Sequence, residues 1–471
     1  MPATGRPMGP APGIALGVDF GTSNTVAVAR TPDGRVRTLL IDGSPLLPSA
    51  VYAEPDTLRV GRDAVLSARL DPARFEPHPK RRVDDVSVLL GDRTVAVVDL
   101  IAAVLARVAE EWRRVAGPDA AAARPDVTLT CPATWAGPRR GVLAEAAEAA
   151  GLGPVRFVAE PVAAAAYFVH VLGHTMPIGS VLVVHDMGAG TFDVSAVART
   201  ATGFEVVAVA GRDDLGGVDL DAALVEHLGR IVGAGAAWHA ITGPATVEDR
   251  RWRRLLWDDV RAAKERLSRA VTAEILVPAA GIEAHLTRAE LESAVGPALA
   301  ESVAVTASLV AGLGPARNRL AGVFLVGGSS RIPLLSTLLF RALGRAPVAI
   351  EQPELVVAEG SVVPGVPSEP APAASLPTEV IPAVAAGHVP LPSRPRRWAR
   401  LLPAALMPLA AASVTVLVAV AALAVLGLGL GGLVVWSVLT GQGILPDWGF
   451  LPDAPWARIG VSLGAGRLAP S

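Results

Sequence analysis

Cysteine is nearly missing from this 471-residue chain: Cys131 is the only one. A disulfide framework and a multi-cysteine zinc site are therefore excluded within one chain. Lysine is almost as scarce. Of the 42 Lys and Arg residues only Lys80 and Lys264 are lysines, so chemistry that needs a lysine has two candidates. Net charge is −2, which removes the strong basic field of a nucleic-acid binder, and no nucleic acid is expected as a partner. No GxxxxGK[ST] run exists, which excludes a P-loop nucleotide site, and no HExxH run exists either. The first 13 residues are small and Pro/Gly-rich, with no apolar run after a basic start. They read as a disordered N-terminus and not as a secretory leader.

What the chain has is apolar residues. They make up 51% of it, against 18% charged, and mean hydropathy is +0.44. From residue 14 to 363, β-like runs alternate with helical ones, which argues for an α/β architecture. Strands are expected at 15–20, 26–29, 126–130, 181–185 and 192–198. Helices are expected at 99–115 and 139–150. In the first of these helices Leu100, Ile101, Val104, Leu105, Val108 and Trp112 recur at helical spacing, and Arg107, Glu110, Glu111, Arg113 and Arg114 fill the other face. Residues 364–400 form a Pro/Ala-rich linker ending in the basic run Arg394-Pro-Arg-Arg-Trp-Ala-Arg400. The 46 residues from 401 to 446 carry no charge, enough for a membrane span. The stretch is long enough to tilt, or to break near Gly427–Gly432 into a re-entrant hairpin. Basic residues before it and Asp447 and Asp453 after it put the large N-terminal part in the cytoplasm of a single-pass protein. Residues 447–471 are then a short extracytoplasmic tail. Gly427-Leu-Gly-Leu-Gly431 permits close pairing of two such helices, and hence a homodimer.

Two stretches carry chemistry. In Gly17-Val-Asp19-Phe-Gly21-Thr22-Ser23-Asn24-Thr25 an apolar strand ends in an aspartate, a Gly-Thr-Ser turn follows, and a second strand begins. A glycine turn lets backbone N–H groups approach phosphate oxygens, and hydroxyls add donors. An aspartate at a strand end can hold hydrated Mg²⁺. Val181-Leu-Val-Val-His-Asp186-Met-Gly188-Ala189-Gly190-Thr191-Phe-Asp193-Val-Ser195 repeats the pattern 167 residues later. Two such hairpins can clamp one polyphosphate from both sides.

The pair resembles the phosphate loops of the actin-like ATPase superfamily, and Gly190-Thr-Phe-Asp-Val-Ser195 resembles its DnaK/heat-shock-70 chaperone branch. So do Val158-Ala-Glu160-Pro161, Asp214-Leu-Gly216-Gly217-Val-Asp219-Leu-Asp221 and Leu325-Val-Gly327-Gly328-Ser329-Ser330-Arg331-Ile-Pro333. The resemblance implies a two-lobed fold of duplicated ribonuclease-H-like units over residues 14–363, binding ATP/ADP and Mg²⁺. It implies that Asp19 and Asp186 hold Mg²⁺ through water. Gly21, Thr22, Ser23 and Asn24 would wrap one side of the phosphates, and Gly188, Ala189, Gly190 and Thr191 the other. Gly216 and Gly217 belong to the loop that follows. Glu160, Asp186 and Asp193 are the implied catalytic carboxylates, with Glu160 and Asp193 orienting the attacking water. Lys264, Ser268, Gly327, Gly328, Ser329 and Arg331 are the implied adenosine walls.

The resemblance also raises expectations that the chain departs from. The segment Gly61-Arg-Asp-Ala-Val65 aligns with the family stretch that carries a catalytic lysine, and it puts Val65 there. Neither lysine is an obvious substitute, and Arg62 or Arg69 would have to reach, so ATP hydrolysis is expected to be weak or absent. No peptide-binding domain of the chaperone type is seen after 363. The reading is a membrane-anchored, heat-shock-70-like module that acts as a nucleotide-dependent switch or chaperone-like regulator of a protein partner. A bacterial-actin-like assembly protein is the alternative, and a small-molecule kinase of the same superfamily comes third. Three lesser signals are set aside. His170 and His174 are four apart but lack a nearby third ligand. Cys131 ends an apolar strand and reads as a buried thiol. His185 and Asp186, adjacent on one strand, point to opposite faces.

Overall fold

The computed structural model describes residues 13–372, apart from 123, 124, 234, 279 and 280. The proline-rich stretch beyond 372, the apolar segment 401–446 and the tail 447–471 lie outside the described residues.

The first half is built on a mixed sheet. Strand β1 (Ala15–Phe20) pairs antiparallel with β2 (Asn24–Arg30), which pairs antiparallel with β3 (Val36–Thr38). Helix α1 (Val97–Ala122) leads to β4 (Asp126–Cys131), parallel to β1. Helix α2 (Gly137–Ala149) leads to β5 (Arg156–Ala159), parallel to β4, and α3 (Glu160–His170) follows at once. The second half repeats the plan. Strands β6 (Val181–Met187), β7 (Phe192–Arg199) and β8 (Phe204–Arg212) form an antiparallel meander. Helices α4 (Gly217–Val232), α5 (Val247–Leu267) and α6 (Arg288–Gly312) precede β9 (Leu320–Val326), which runs parallel to β6. Helices α7 (Pro333–Leu343) and α8 (Val356–Ser361) lead to a two-residue strand β10 (Glu369–Pro370). A meander whose first strand gains a parallel neighbour thus occurs twice, as the α/β reading expects.

The helical stripe of α1 is buried at each apolar position named for it: Leu100, Ile101, Val104, Leu105, Val108 and Trp112 all lie in the first core. Glu111 corrects the polar-face expectation. It is buried, because Arg114 and Arg107 both reach its carboxylate from the same helix. A paired charge can enter a core that an unpaired one cannot. Helix α6 is long and apolar enough to cross a membrane by length and composition, yet Leu291, Val295, Leu299, Val303 and Val310 pack into the second core.

Beyond the expected boundary at 363 the chain still touches the first sheet. Strand β10 pairs antiparallel with β5, and Arg156 Nε donates to Ser368 Oγ at 2.7 Å. Proline density excludes sheet interiors, but an edge strand tolerates a proline whose missing N–H would face outward.

Candidate functional site

Both hairpins end their first strand in a carboxylate and then turn on glycine, for a steric reason. A Cβ on Gly21 would sit 2.3 Å from the Asn24 carbonyl, and one on Gly190 would sit 2.8 Å from the Thr22 hydroxyl oxygen. The second clash shows that the two turns meet tip to tip. The loop after β8 closes on them: Gly217 N–H donates to Gly188 O and Val218 N–H to Ala189 O, both at 2.9 Å. A Cβ on Gly216 would lie 2.6 Å from the Gly190 carbonyl carbon. Gly327, at φ 82°, brings the next loop so close that a Cβ would lie 2.5 Å from Asp186 Oδ1. Backbone crowds this place from four directions, which only glycine permits.

Four carboxylates look into the same space. Asp19 accepts from Thr130 Oγ1 at 2.8 Å, and Asp193 accepts from Thr191 Oγ1 at 2.9 Å. Burial pushes Asp19 and Asp193 each up to about 6, with Glu160 adding to both. Asp186 is raised further, first by burial and then by the charges of Glu160, Asp193 and Asp19. A small cavity bounded by Thr134, Glu160, Asp186, Asp193 and Ser195 adjoins this cluster.

One cation answers them, and it corrects the expectation about the lysine. Lys80 Nζ lies 2.9 Å from Glu160 Oε1, and the two side chains are only 10% and 12% exposed. Burial alone would lower the ammonium, but Glu160 and Asp19 outweigh it and the net shift is upward. Val65 lies elsewhere, packed in a small cluster with Ala50, Tyr52 and Ala64. Arg62 is no substitute, because its guanidinium donates to the Asp42 carbonyl. The sequence reading matched the wrong segment. Lys80 sits on a 3-10 turn, Pro79–Arg82, whose first residue is a proline. The signal that could have found it is composition. A lysine in a chain that otherwise uses arginine, next to a proline that starts a helical turn, marks a point charge placed on purpose.

Other residues were missed as well. His78 donates from Nδ1 to the Thr22 carbonyl at 3.2 Å and so ties the first phosphate loop to the Lys80 turn. Burial holds this imidazole down to about 4. Asp221 pairs with Lys264 Nζ at 2.7 Å, and Lys264 also donates to Gly217 O at 2.7 Å. Lys264 is therefore buried and spent on fixing the start of α4. Ser268 Oγ donates back to the Lys264 carbonyl. Ser329 Oγ donates to Gly188 O at 3.3 Å, joining the Gly328–Arg331 turn to the second hairpin. Arg331 is held by Glu354 Oε1 at 2.8 Å. Ser23 Oγ is buried with no hydrogen-bond partner. His170 packs edge-on against Phe204 and His174 stacks on Phe168, so the pair does not converge as metal ligands. Cys131 is buried, and burial raises its thiol to about 11.

These features fit Mg²⁺ and a polyphosphate. The carboxylates outnumber the single lysine, which calls for a further cation. Among the described residues no three His, Cys, Asp or Glu side chains converge closely enough to bind a metal directly. A hard cation held through water and phosphate oxygens needs no such convergence. The glycine cradle surrounds the space such a ligand would fill, and the Ser23 hydroxyl in the first turn is left without a protein partner.

The family model described as Hsp70 protein matches residues 75–370. The chain belongs to the Hsp70 family. Among curated proteins it is similar to "Chaperone protein HscA homolog" of Acidithiobacillus ferrooxidans, at 31% identity over 378 residues, covering 74% of this chain and 58% of that protein. "Chaperone protein HscA" of Serratia proteamaculans is 30% identical over 374 residues, covering 74% of this chain and 57% of that protein. The "Chaperone protein HscA homolog" of Burkholderia pseudomallei is 31% identical over 385 residues, with 76% and 59% covered. The Hsp70 chain described here thus spans somewhat over half the length of the curated relatives it matches.

Proposed function

We propose that this Hsp70-family chain binds ATP with Mg²⁺ between its two hairpins, hydrolyses it, and uses the nucleotide state as a switch on a protein partner. The observation that carries the reading is the Lys80–Glu160 pair set among Asp19, Asp186 and Asp193 where the two hairpins meet. Asp19 and Asp186 would hold Mg²⁺ through water, and the ion would supply charge neutralisation for the phosphates. The turns Gly21–Asn24 and Gly188–Thr191 bind and orient the phosphates by backbone N–H groups and hydroxyls. Glu160 and Asp193 orient a water, and Lys80 places positive charge beside the position of transfer. Phosphoanhydride hydrolysis is mostly positioning and charge stabilisation, and these side chains supply both. The ground for expecting weak turnover was the absence of a lysine, and Lys80 removes it.

The switch acts at a membrane: the uncharged stretch 401–446 serves as the anchor, with the nucleotide-binding part on the cytoplasmic side. Its GxxxG run supports pairing of two copies. The test is calorimetry of ATP and ADP with Mg²⁺, alongside phosphate release, on the full chain and its Asp19→Ala variant. Binding that the substitution abolishes, with steady phosphate release from the wild type, is expected. Binding without turnover would leave a sensor only, and no binding would overturn the reading.

A further inference from the structure

The Lys80 ammonium has a second neighbour that the carboxylates do not explain. Its Nζ lies 5.5 Å from the centroid of the Trp135 ring, within cation–π range. Trp135 is buried, and its backbone N–H donates to the Pro132 carbonyl at 3.0 Å, which closes a turn directly after β4. Arg139 lies 5.6 Å from the same ring centroid. That guanidinium in turn grips Asp84 with two bonds, at 2.8 and 2.6 Å. Asp84 follows the turn that carries Lys80, and Asp85 N–H donates to the Arg82 carbonyl at 2.7 Å. The path Asp84–Arg139–Trp135–Lys80 therefore returns to the segment it started from. Both ends of the Lys80 turn are held, one by an ion pair and one by an aromatic ring.

We propose that Trp135 is a positioning residue that holds the Lys80 ammonium at the site without neutralising it. The physical point is the difference between a ring and a carboxylate. A carboxylate binds an ammonium strongly enough to keep it. A ring quadrupole attracts the cation more weakly and carries no formal charge. An ammonium shared between Glu160 and a ring can turn toward a phosphate oxygen while the ring keeps it in place. Glu160 is then left for its own task with water. This inference rests on the proposed ATP hydrolysis for its kinetic part only.

The chain offers an internal standard, because Lys264 is its only other lysine and is buried, while the Lys80 side chain is 10% exposed. The experiment is a brief pulse of acetic anhydride on the full chain, with acetylation of Lys80 and Lys264 read by peptide mass spectrometry. Wild type, Trp135→Phe, Trp135→Met and Trp135→Leu are compared, together with the kcat and KM of each. Removing the ring should raise Lys80 labelling relative to Lys264 by about fivefold or more in the Met and Leu variants, and by less than about twofold in Phe. In the same variants kcat should fall about tenfold with KM nearly unchanged, and Phe should recover most of it. Unfolding would raise both lysines together and is thereby recognised; the Met variant, whose flexible chain best fills an irregular gap without a ring, then decides. Equal labelling ratios in all four proteins, or Phe behaving as Leu does, overturns the proposal. If the wild type shows no turnover, the functional reading fails and the labelling ratio still decides this one.

Discussion

The two hairpins have the same covalent plan and unequal electrostatic compensation: both strand-end aspartates are raised by burial, Asp186 further than Asp19. In the first, Asp19 has a hydroxyl donor in Thr130 and the Lys80 charge nearby. In the second, Asp186 has no such donor, and the three neighbouring carboxylates all push its ionisation up. The first hairpin is compensated by its own protein, and the second waits for a cation. The difference teaches that a duplicated fold need not give a duplicated site. The lysine beside the carboxylates comes from the first half, so the protein is asymmetric where its two hairpins meet.

The largest effect that can break this comparison is removal of the compensating charge. Lys80→Met should lower kcat by about 10²–10³, with ATP affinity changed by only a few-fold, as single-turnover kinetics would show. Val65→Lys should not restore the loss, since Val65 packs in a separate apolar cluster. Next comes a test of the waiting charge. In the nucleotide-free protein, Asp186→Asn should stabilise by about 2 kcal/mol in urea unfolding, because it removes a partly buried carboxylate without a donor. Asp19→Asn should give little or no gain, since it also removes a negative charge that attracts Lys80. Equal effects at both aspartates would erase the asymmetry.

The third test uses pH. His185 shares strand β6 with Asp186 but points away from the cleft. Its Nδ1–H donates to Thr306 Oγ1 at 2.9 Å, and Thr306 passes its own proton to the Ser302 carbonyl. The Nε2 atom is buried without a partner, and burial holds the imidazole down to about 3. An unfolded histidine takes a proton near 6.5. The unfolded state therefore binds more protons between these values, and folding loses stability as pH falls below about 6.5. The wild type should lose about 1.4 kcal/mol per pH unit there relative to His185→Gln. A constant difference between pH 7 and 5 would show that this imidazole is not held neutral. The smallest effect is at Thr130. Thr130→Val should cost about 1 kcal/mol and should make the apo protein's first hairpin behave more like its second, with Asp19→Asn now becoming stabilising.

Much of this was legible in the sequence because it was local. The hairpins are spelled within nine and fifteen residues, and the β1 and α1 patterns follow a single period. The resemblance added order and roles. What stayed hidden was set by the chain's return from a distance. Lys80 reaches Glu160 from 80 residues away. The His78–Thr22 bond joins residues 56 apart. No periodicity announces such pairings, and aligning a motif by its local spelling misplaced the lysine.

The two residues of β10 have a consequence for how the protein keeps its own company. An open sheet edge offers a row of unpaired N–H and C=O groups to any passing extended chain. The first sheet would end at β5, but Glu369 and Pro370 occupy that edge. Pro370 has no N–H to extend the ladder, and Glu369 adds a charge held by Arg140. The strand is therefore a stopper. It finishes the sheet at the point where the family fold gives way to the proline-rich chain, and it denies the edge to a neighbouring molecule when many copies crowd together.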